Sequence, residues 1–324
     1  MNEKNDTVTA VVHDLPRAPN RGNLTLRELA DAYMAAFTGR DSTRPYTVGF
    51  WVRELGDRRC VDIDADMIAD VLDRYAAAPV TKYAGKDPNG QPILRQFGRR
   101  APATVNRLRS VISGILTFAQ RKRLTPRGWT NPCKEIAAER VNNARRRFLS
   151  TEERERLLHV SRLSKWPRLY LLVLMALTTG ARLGELLALR YRDLDLVAGT
   201  AHLRLTKNGE ERVLPLVAAV ITEIKRHGKG EPDRLLFESV RRPGRPMRTA
   251  KAFNSAVRDA HIDDFRFHDL RHSCASYLAQ NGATLLEIAD VLGHKTLDMV
   301  RRYAHLTVQH KAALVTRVLG DIGS

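Results

Sequence analysis

Apolar residues recur at helical spacing through most of the first 140 positions. Thr25 and Glu28 stand three apart ahead of LRELADAYMAAF, a capping box that starts a helix. A second helix is expected over residues 46–55. A third, capped by Asp64, runs through MIADVLDRYA. Residues 103–123 place Val105, Leu108, Ile112, Ile115, Leu116 and Ala119 on one face of a long helix. Residues 82–100 are rich in Gly, Pro and Arg and contain the hairpin pair Asn89-Gly90. This stretch reads as an exposed loop or β-ribbon.

The pattern breaks at NNARRRFLS, residues 142–150, where polar residues and three arginines precede a new capping box of Ser150 and Glu153. A domain boundary is expected here, its three arginines either solvated or lying against an anionic partner. The second half opens with helices over residues 151–162 and 167–179. HLRLT and ERVLPL then change to strand-like patterning around Asn208-Gly209, a second hairpin. Helices resume near Val217, Thr249, His268, Thr284 and Leu297. The expected organisation is a flexible tail (1–23), a helical unit (24–141), the linker (142–150), a second unit (151–306) and a C-terminal helix (307–324). In that last helix Val308, Ala312, Val315, Leu319 and Ile322 form an apolar stripe.

Composition narrows the partners. With 324 residues two domains are the natural expectation, and 43% hydrophobic residues suffice for real cores. Fifty-four Lys and Arg against 36 Asp and Glu leave +18, a field that draws polyanions, nucleic acid foremost. Three scattered cysteines, Cys60, Cys133 and Cys274, without a CxxC, argue against a disulfide framework or zinc site and suit a reducing cytoplasm. The longest apolar run, residues 169–177, is too short to span a bilayer, and no membrane partner is expected.

Four segments carry candidate chemistry, and each alone has an ordinary explanation. In TTGARLGELLALR an apolar helix ends at Gly180 and Arg182 begins the next; alone it is a surface arginine. In LTKNGEERVLPL, Lys207 sits at the hairpin tip, where a lysine is usually just solvated. In FHDLRHSCASYLAQNG, His268 and Arg271 share a helix face, as for an oxyanion or phosphate, with His272 an alternative histidine. In LLEIADVLGHKTLDMVRRYAHL a helix stops at Gly293, His294 follows, and a second helix carries Tyr303. This last segment reads equally as a helix-turn-helix with a packed aromatic.

Taken together and in this order, TGARLGE, TKNG, HDLRH, LGH and RRYAH resemble the tyrosine recombinase (phage integrase) family over residues 150–310. The match includes the nine-residue step from His294 to Tyr303. The resemblance implies a mainly α fold with a small antiparallel β-sheet, arranged as a two-domain C-shaped DNA clamp. It implies a catalytic set of Arg182, Lys207, His268, Arg271, His294 and Tyr303, with Glu185 holding the site in register. Arg182 and Arg271 would clamp the phosphate oxygens, His268 and His294 would add hydrogen bonds, and His268 would also help remove the tyrosine proton. The positive surroundings would favour the Tyr303 phenolate, and Lys207 would protonate the leaving 5′-oxygen. DNA contacts are expected from Arg99, Arg100, Arg107, Arg121, Lys122, Arg145, Arg146 and Arg147. No cofactor and no metal are expected. The partners implied are double-stranded recombination sites, a homotetramer on two DNA sites, and accessory DNA-bending or directionality factors. The setting implied is cytoplasmic, bacterial or phage-encoded and nucleoid-associated. Two other readings remain: a type IB topoisomerase-like relaxing enzyme, and a non-catalytic helix-turn-helix regulator.

Overall fold

The computed structural model describes residues 22–39, 41–141, 145, 147–204, 211–307 and 315–316. The chain divides into two compact units, residues 1–143 and 144–324.

The first unit is built on four helices: α1 (Leu26–Ala35), α2 (Arg44–Leu55), α3 (Ala65–Ala77) and α4 (Pro102–Arg121). The Thr25 hydroxyl accepts from Glu28 N, and the Glu28 carboxylate accepts from Thr25 N at 2.8 Å, so the capping box forms. Asp64 caps α3 by accepting from Met67 N at 2.8 Å. The expected α4 stripe is buried along its whole length and meets Leu26, Leu29, Trp51 and Ile68 in one core. Trp51 is fully buried, yet its indole N–H donates to Leu108 O at 3.0 Å, so no polar group is stranded. Between α3 and α4, β1 (Val80–Lys86) and β2 (Pro92–Phe97) pair antiparallel as the expected ribbon, with Gly90 at φ 81° in its turn.

In the second unit the Ser150–Glu153 capping box starts α5 (Thr151–Arg162). The central helix α6 (Leu169–Thr179) is apolar on nearly every side and buried on nearly every side. Short α7 (Leu183–Ala188) follows. Strands β3 (Leu194–Asp195), β4 (Thr200–Leu203) and β5 (Arg212–Pro215) form an antiparallel sheet, with Ala201 opposite Leu214 and Leu203 opposite Arg212. Then come α8 (Ala218–Arg226), the hairpin β6 (Glu238–Ser239) and β7 (Arg242–Pro246), α9 (Ala250–Asp259), α10 (Asp269–Gln280) and α11 (Leu285–Leu292). Two 3₁₀ segments, Leu297–Met299 and Arg301–Thr307, close the described fold. No helix among the described residues is long and apolar enough to cross a membrane.

Several expectations change. The segment carrying Tyr303 is 3₁₀ rather than α-helical. A three-residue turn stacks i and i+3 on one side, which lets Val300 and Tyr303 both enter a small core with Ala275, Ala279, Ile288 and Leu292. The hairpin β6–β7 was missed because RPGRP, with two prolines, reads as a loop. Leu149, assigned to the linker, is fully buried and donates its N–H to Ser273 Oγ at 3.0 Å, so this end of the linker belongs to the second unit. Gly22, assigned to the tail, donates to Leu124 O at 2.8 Å. Residues 1–21, most of the C-terminal helix and the tip of the second hairpin lie outside the described residues. Of the C-terminal stripe only Val315 is described, and it is 56% exposed.

Candidate phosphate site

The site forms where helix ends meet. Gly180 ends α6 in the left-handed region, at φ 60°. A Cβ there would lie 2.3 Å from Leu292 Cδ2, so glycine permits both the turn and the close packing of α11. The chain re-enters a helix with Arg182 in extended conformation just ahead of α7. Glu185, buried one turn on, accepts from Arg182 N at 2.9 Å and from Arg182 Nη1 at 2.7 Å. The arginine is thus held by both its backbone and its side chain.

Arg271 lies in the first turn of α10 and is only 4% exposed. Its Nη1 donates to Gly180 O at 2.7 Å, while Nη2 is buried with no protein partner among the described residues. Gly293 ends α11 at φ 63°, and His294 follows; its Nδ1 is likewise buried and unpartnered. A buried donor or acceptor without a partner costs about 1–3 kcal/mol. Both atoms lie in the same positive surroundings, since the Arg271 charge is felt at His294.

The electrostatics agree. Burial, then Arg182 and Arg212, bring Arg271 down to about 10, still charged at neutral pH. Burial, then Arg271, Arg182, Arg302 and Arg212, hold His294 at about 3, so its ring is neutral. Tyr303 is 5% exposed and its hydroxyl lies 2.5 Å from His272 Nδ1. Burial pushes Tyr303 up to about 12, outweighing the opposing pull of Arg302 and Arg271. The expectation of a favoured phenolate therefore fails in this conformation, because loss of water around the phenol exceeds the benefit of the cations. His272, not His268, contacts the tyrosine. His268 is exposed, its ring 5.1 Å from that of His272 and perpendicular to it.

The remaining expected residues divide. Lys207 and Arg146 lie outside the described residues. Arg99, Arg121 and Lys122 are exposed on the first unit, and Arg107 pairs there with Asp41 at 2.9 Å. Three arginines expected on DNA are committed within the protein. Arg100 donates to Tyr75 O and Ala78 O, both at 2.7 Å. Arg145 pairs with Asp264 and with the buried Asp269, each at 2.8 Å. Arg147 pairs with Glu153 at 2.5 Å. A buried carboxylate such as Asp269 needs a counter-charge, and a neighbouring arginine supplies it before any ligand arrives.

Sequence reasoning missed Arg212. Its side chain is 12% exposed and donates to Leu292 O at 2.6 Å. The available signal was strand alternation: Arg212, Leu214 and Leu216 share a face, and both leucines are buried. Among the described residues no group of three or more His, Cys, Asp or Glu side chains is placed to hold a metal ion.

Residues 147–310 match the model of the phage integrase family. The shufflon-specific DNA recombinase of Escherichia coli is 34% identical over 218 residues, 63% of this chain and 52% of that protein, so the chain spans about half the length of that relative. Tyrosine recombinase XerD of Caulobacter vibrioides is 30% identical over 246 residues, covering 69% of this chain and 78% of the relative. Among solved structures, a lambda integrase fragment captured as a dimer bound to a core site superposes with a TM-score of 0.63. That match is at 20% identity, covering 86% of this chain and 95% of that one, a likeness of fold.

Proposed function

Because the chain belongs to the phage integrase family, we propose that it is a site-specific tyrosine recombinase that integrates or excises a mobile element. The observation that carries this reading is the pair of buried, unpartnered atoms, Arg271 Nη2 and His294 Nδ1, beside Arg182. A phosphodiester oxygen would satisfy both.

Arg182 and Arg271 neutralise the nonbridging oxygens of the scissile phosphate, and His294 adds a neutral hydrogen bond. Tyr303 Oη attacks phosphorus in line. Its proton passes to a histidine, with His272 in contact and His268 next to it. The bond from phosphorus to the 5′-oxygen breaks as Lys207 protonates that oxygen, leaving a 3′-phosphotyrosine and a free 5′-hydroxyl. Attack by the 5′-hydroxyl of another strand reverses the step, releasing Tyr303. The covalent link retains the energy of the broken bond, so no nucleotide is consumed. Glu185 keeps Arg182 aimed.

The first unit is proposed to grip the core recombination site through Arg99, Arg107, Arg121 and Lys122, the two units together forming a C-shaped clamp on duplex DNA. The active assembly is a homotetramer on two sites, with residues 307–324 docking on a neighbouring protomer and accessory factors setting direction. The protein acts in the cytoplasm, at the nucleoid.

A suicide duplex nicked beside the crossover point, resolved on a denaturing gel, tests the reading. Wild-type protein is expected to yield a covalent band and Tyr303→Phe none. No band from wild type on its own site would overturn it. Relaxation of plasmids lacking a site would instead favour a topoisomerase. The regulator reading loses its second helix, since the segment before Tyr303 is 3₁₀.

A further inference from the structure

We propose that Arg212 is a positioning residue of the phosphate site: its buried guanidinium ties together the end of α6, the turn that carries His294 and the carboxylate that aims Arg182. This inference rests on the recombinase reading and adds a residue that the motif comparison does not assign.

The geometry is specific. Arg212 opens β5, opposite Leu203, and its side chain runs inward. Nη1 donates to Leu292 O at 2.6 Å and Nη2 to Thr179 O at 3.4 Å, while Nη1 lies 3.8 Å from Glu185 Oε2. Arg212 and Arg271 therefore take the consecutive carbonyls of Thr179 and Gly180. The turn after α11 is shaped around the same group. A Cβ on Gly293 would lie 2.6 Å from Arg212 Nη1, and the backbone there is left-handed at φ 63°, so glycine lets the turn close with the guanidinium where it is. Two segments distant in sequence, residues 179–185 and the turn after Leu292, thus converge on one side chain; the first carries Arg182 and the Gly180 carbonyl that holds Arg271, and the second leads to His294.

A structural role alone would not require this residue. The carbonyls at two helix C-termini welcome a cation, but a neutral amide could also cap them. Instead a third guanidinium is buried beside Arg182 and Arg271, with Glu185 at 3.8 Å and Asp290 farther away as opposing charges. Among the three guanidinium groups and Glu185 the charge is +2. Such a cluster opposes folding by like-charge repulsion and loss of hydration. A bound phosphodiester reverses the balance, most of all when in-line attack brings it towards two negative charges. The excess cation is useful to the reaction, not to the empty fold.

The test uses full-length protein and a nicked suicide duplex carrying its own recombination site, recovered by selection from random duplexes. DNA affinity and the single-turnover rate of adduct formation per bound complex are measured separately. Arg212→Gln is expected to bind DNA within about twofold of wild type and to form adduct about 100-fold more slowly, the scale on which misplaced catalytic groups act. Arg212→Lys keeps the charge but not the fork, and is expected to recover about tenfold of that loss. An unchanged rate per bound complex in folded Arg212→Gln overturns the proposal. If Arg212→Gln does not fold, Arg212→Lys decides: a wild-type rate overturns the proposal, and a rate reduced about tenfold at unchanged affinity supports it. No adduct from wild-type protein removes the recombinase reading and this proposal with it. A wild-type adduct with an unaffected Arg212→Gln removes this proposal alone.

Discussion

The hydroxyl of Tyr303 rests 2.5 Å from Nδ1 of His272, with the tyrosine ring in a small apolar core. The proposed nucleophile is thus protonated and packed in this conformation. Tyr303→Phe removes one neutral hydrogen bond and strands the His272 ring nitrogen, which should cost about 1 kcal/mol of stability. Urea unfolding measures that cost, and retained duplex affinity with complete loss of covalent product is expected alongside it. Residual adduct would move the nucleophile elsewhere.

Acid should weaken the fold through two histidines. His272 is held at about 4, by burial, then His268 and Arg302; His294 is held at about 3. Unfolded histidines titrate near ~6.5. Below that value the unfolded chain takes up protons that the folded chain refuses, so stability falls as pH drops from ~6.5 towards about 4 for His272 and about 3 for His294, by up to about 1.4 kcal/mol per unit for each histidine. Above pH ~6.5 both states are neutral at these positions and the dependence vanishes. His294→Asn should flatten the slope of the urea midpoint across this window. A slope equal to that of wild type would show that His294 is not buried neutral.

Arg271 Nη2 and His294 Nδ1 lack protein partners, so simple oxyanions should stabilise the protein. Inorganic phosphate or sulfate, exchanged for chloride at constant ionic strength, is expected to raise Tm, by the equivalent of about 1.4 kcal/mol at ten times the dissociation constant. Arg271→Lys, without the second fork nitrogen, should lose most of that shift. An equal shift in the variant would place the anion elsewhere.

Gly180→Ala meets both a left-handed backbone, at φ 60°, and Leu292 Cδ2 at 2.3 Å. Backbone strain of about 1 kcal/mol and overpacking of about 1–3 kcal/mol should add. The expected loss of about 2–4 kcal/mol is read from chemical denaturation. A loss below about 0.5 kcal/mol, the level of an ordinary surface change, would show that α11 does not pack on the end of α6 as described.

Binding to duplex DNA should weaken steeply with salt, since a net charge of +18 implies phosphate contacts that release counterions. Charge-neutral substitutions of Arg107 and Arg121 should each lower the slope of log affinity against log salt by about 1. An unchanged slope would remove those residues from the DNA contact.

The amino-acid sequence alone determined what local periodicity and turn chemistry control. The α4 stripe, the capping boxes at Thr25 and Ser150, the Asn89-Gly90 ribbon and the glycine stops at 180 and 293 all depend on residues within a few positions of one another. The order of TGARLGE, HDLRH, LGH and RRYAH was legible for the same reason. Tertiary structure alone decided which polar atoms are paired and which are left over. Gly180 and Arg271 are 91 residues apart, Arg212 and Leu292 are 80 apart, and the histidine that touches Tyr303 is 31 residues from it. No local pattern encodes these meetings, because burial and partner depend on where distant segments pack. That is why Arg145 found Asp264 and Asp269, why Tyr303 titrates above its ordinary value, and why Arg212 emerged at the centre of a site whose motifs had not named it.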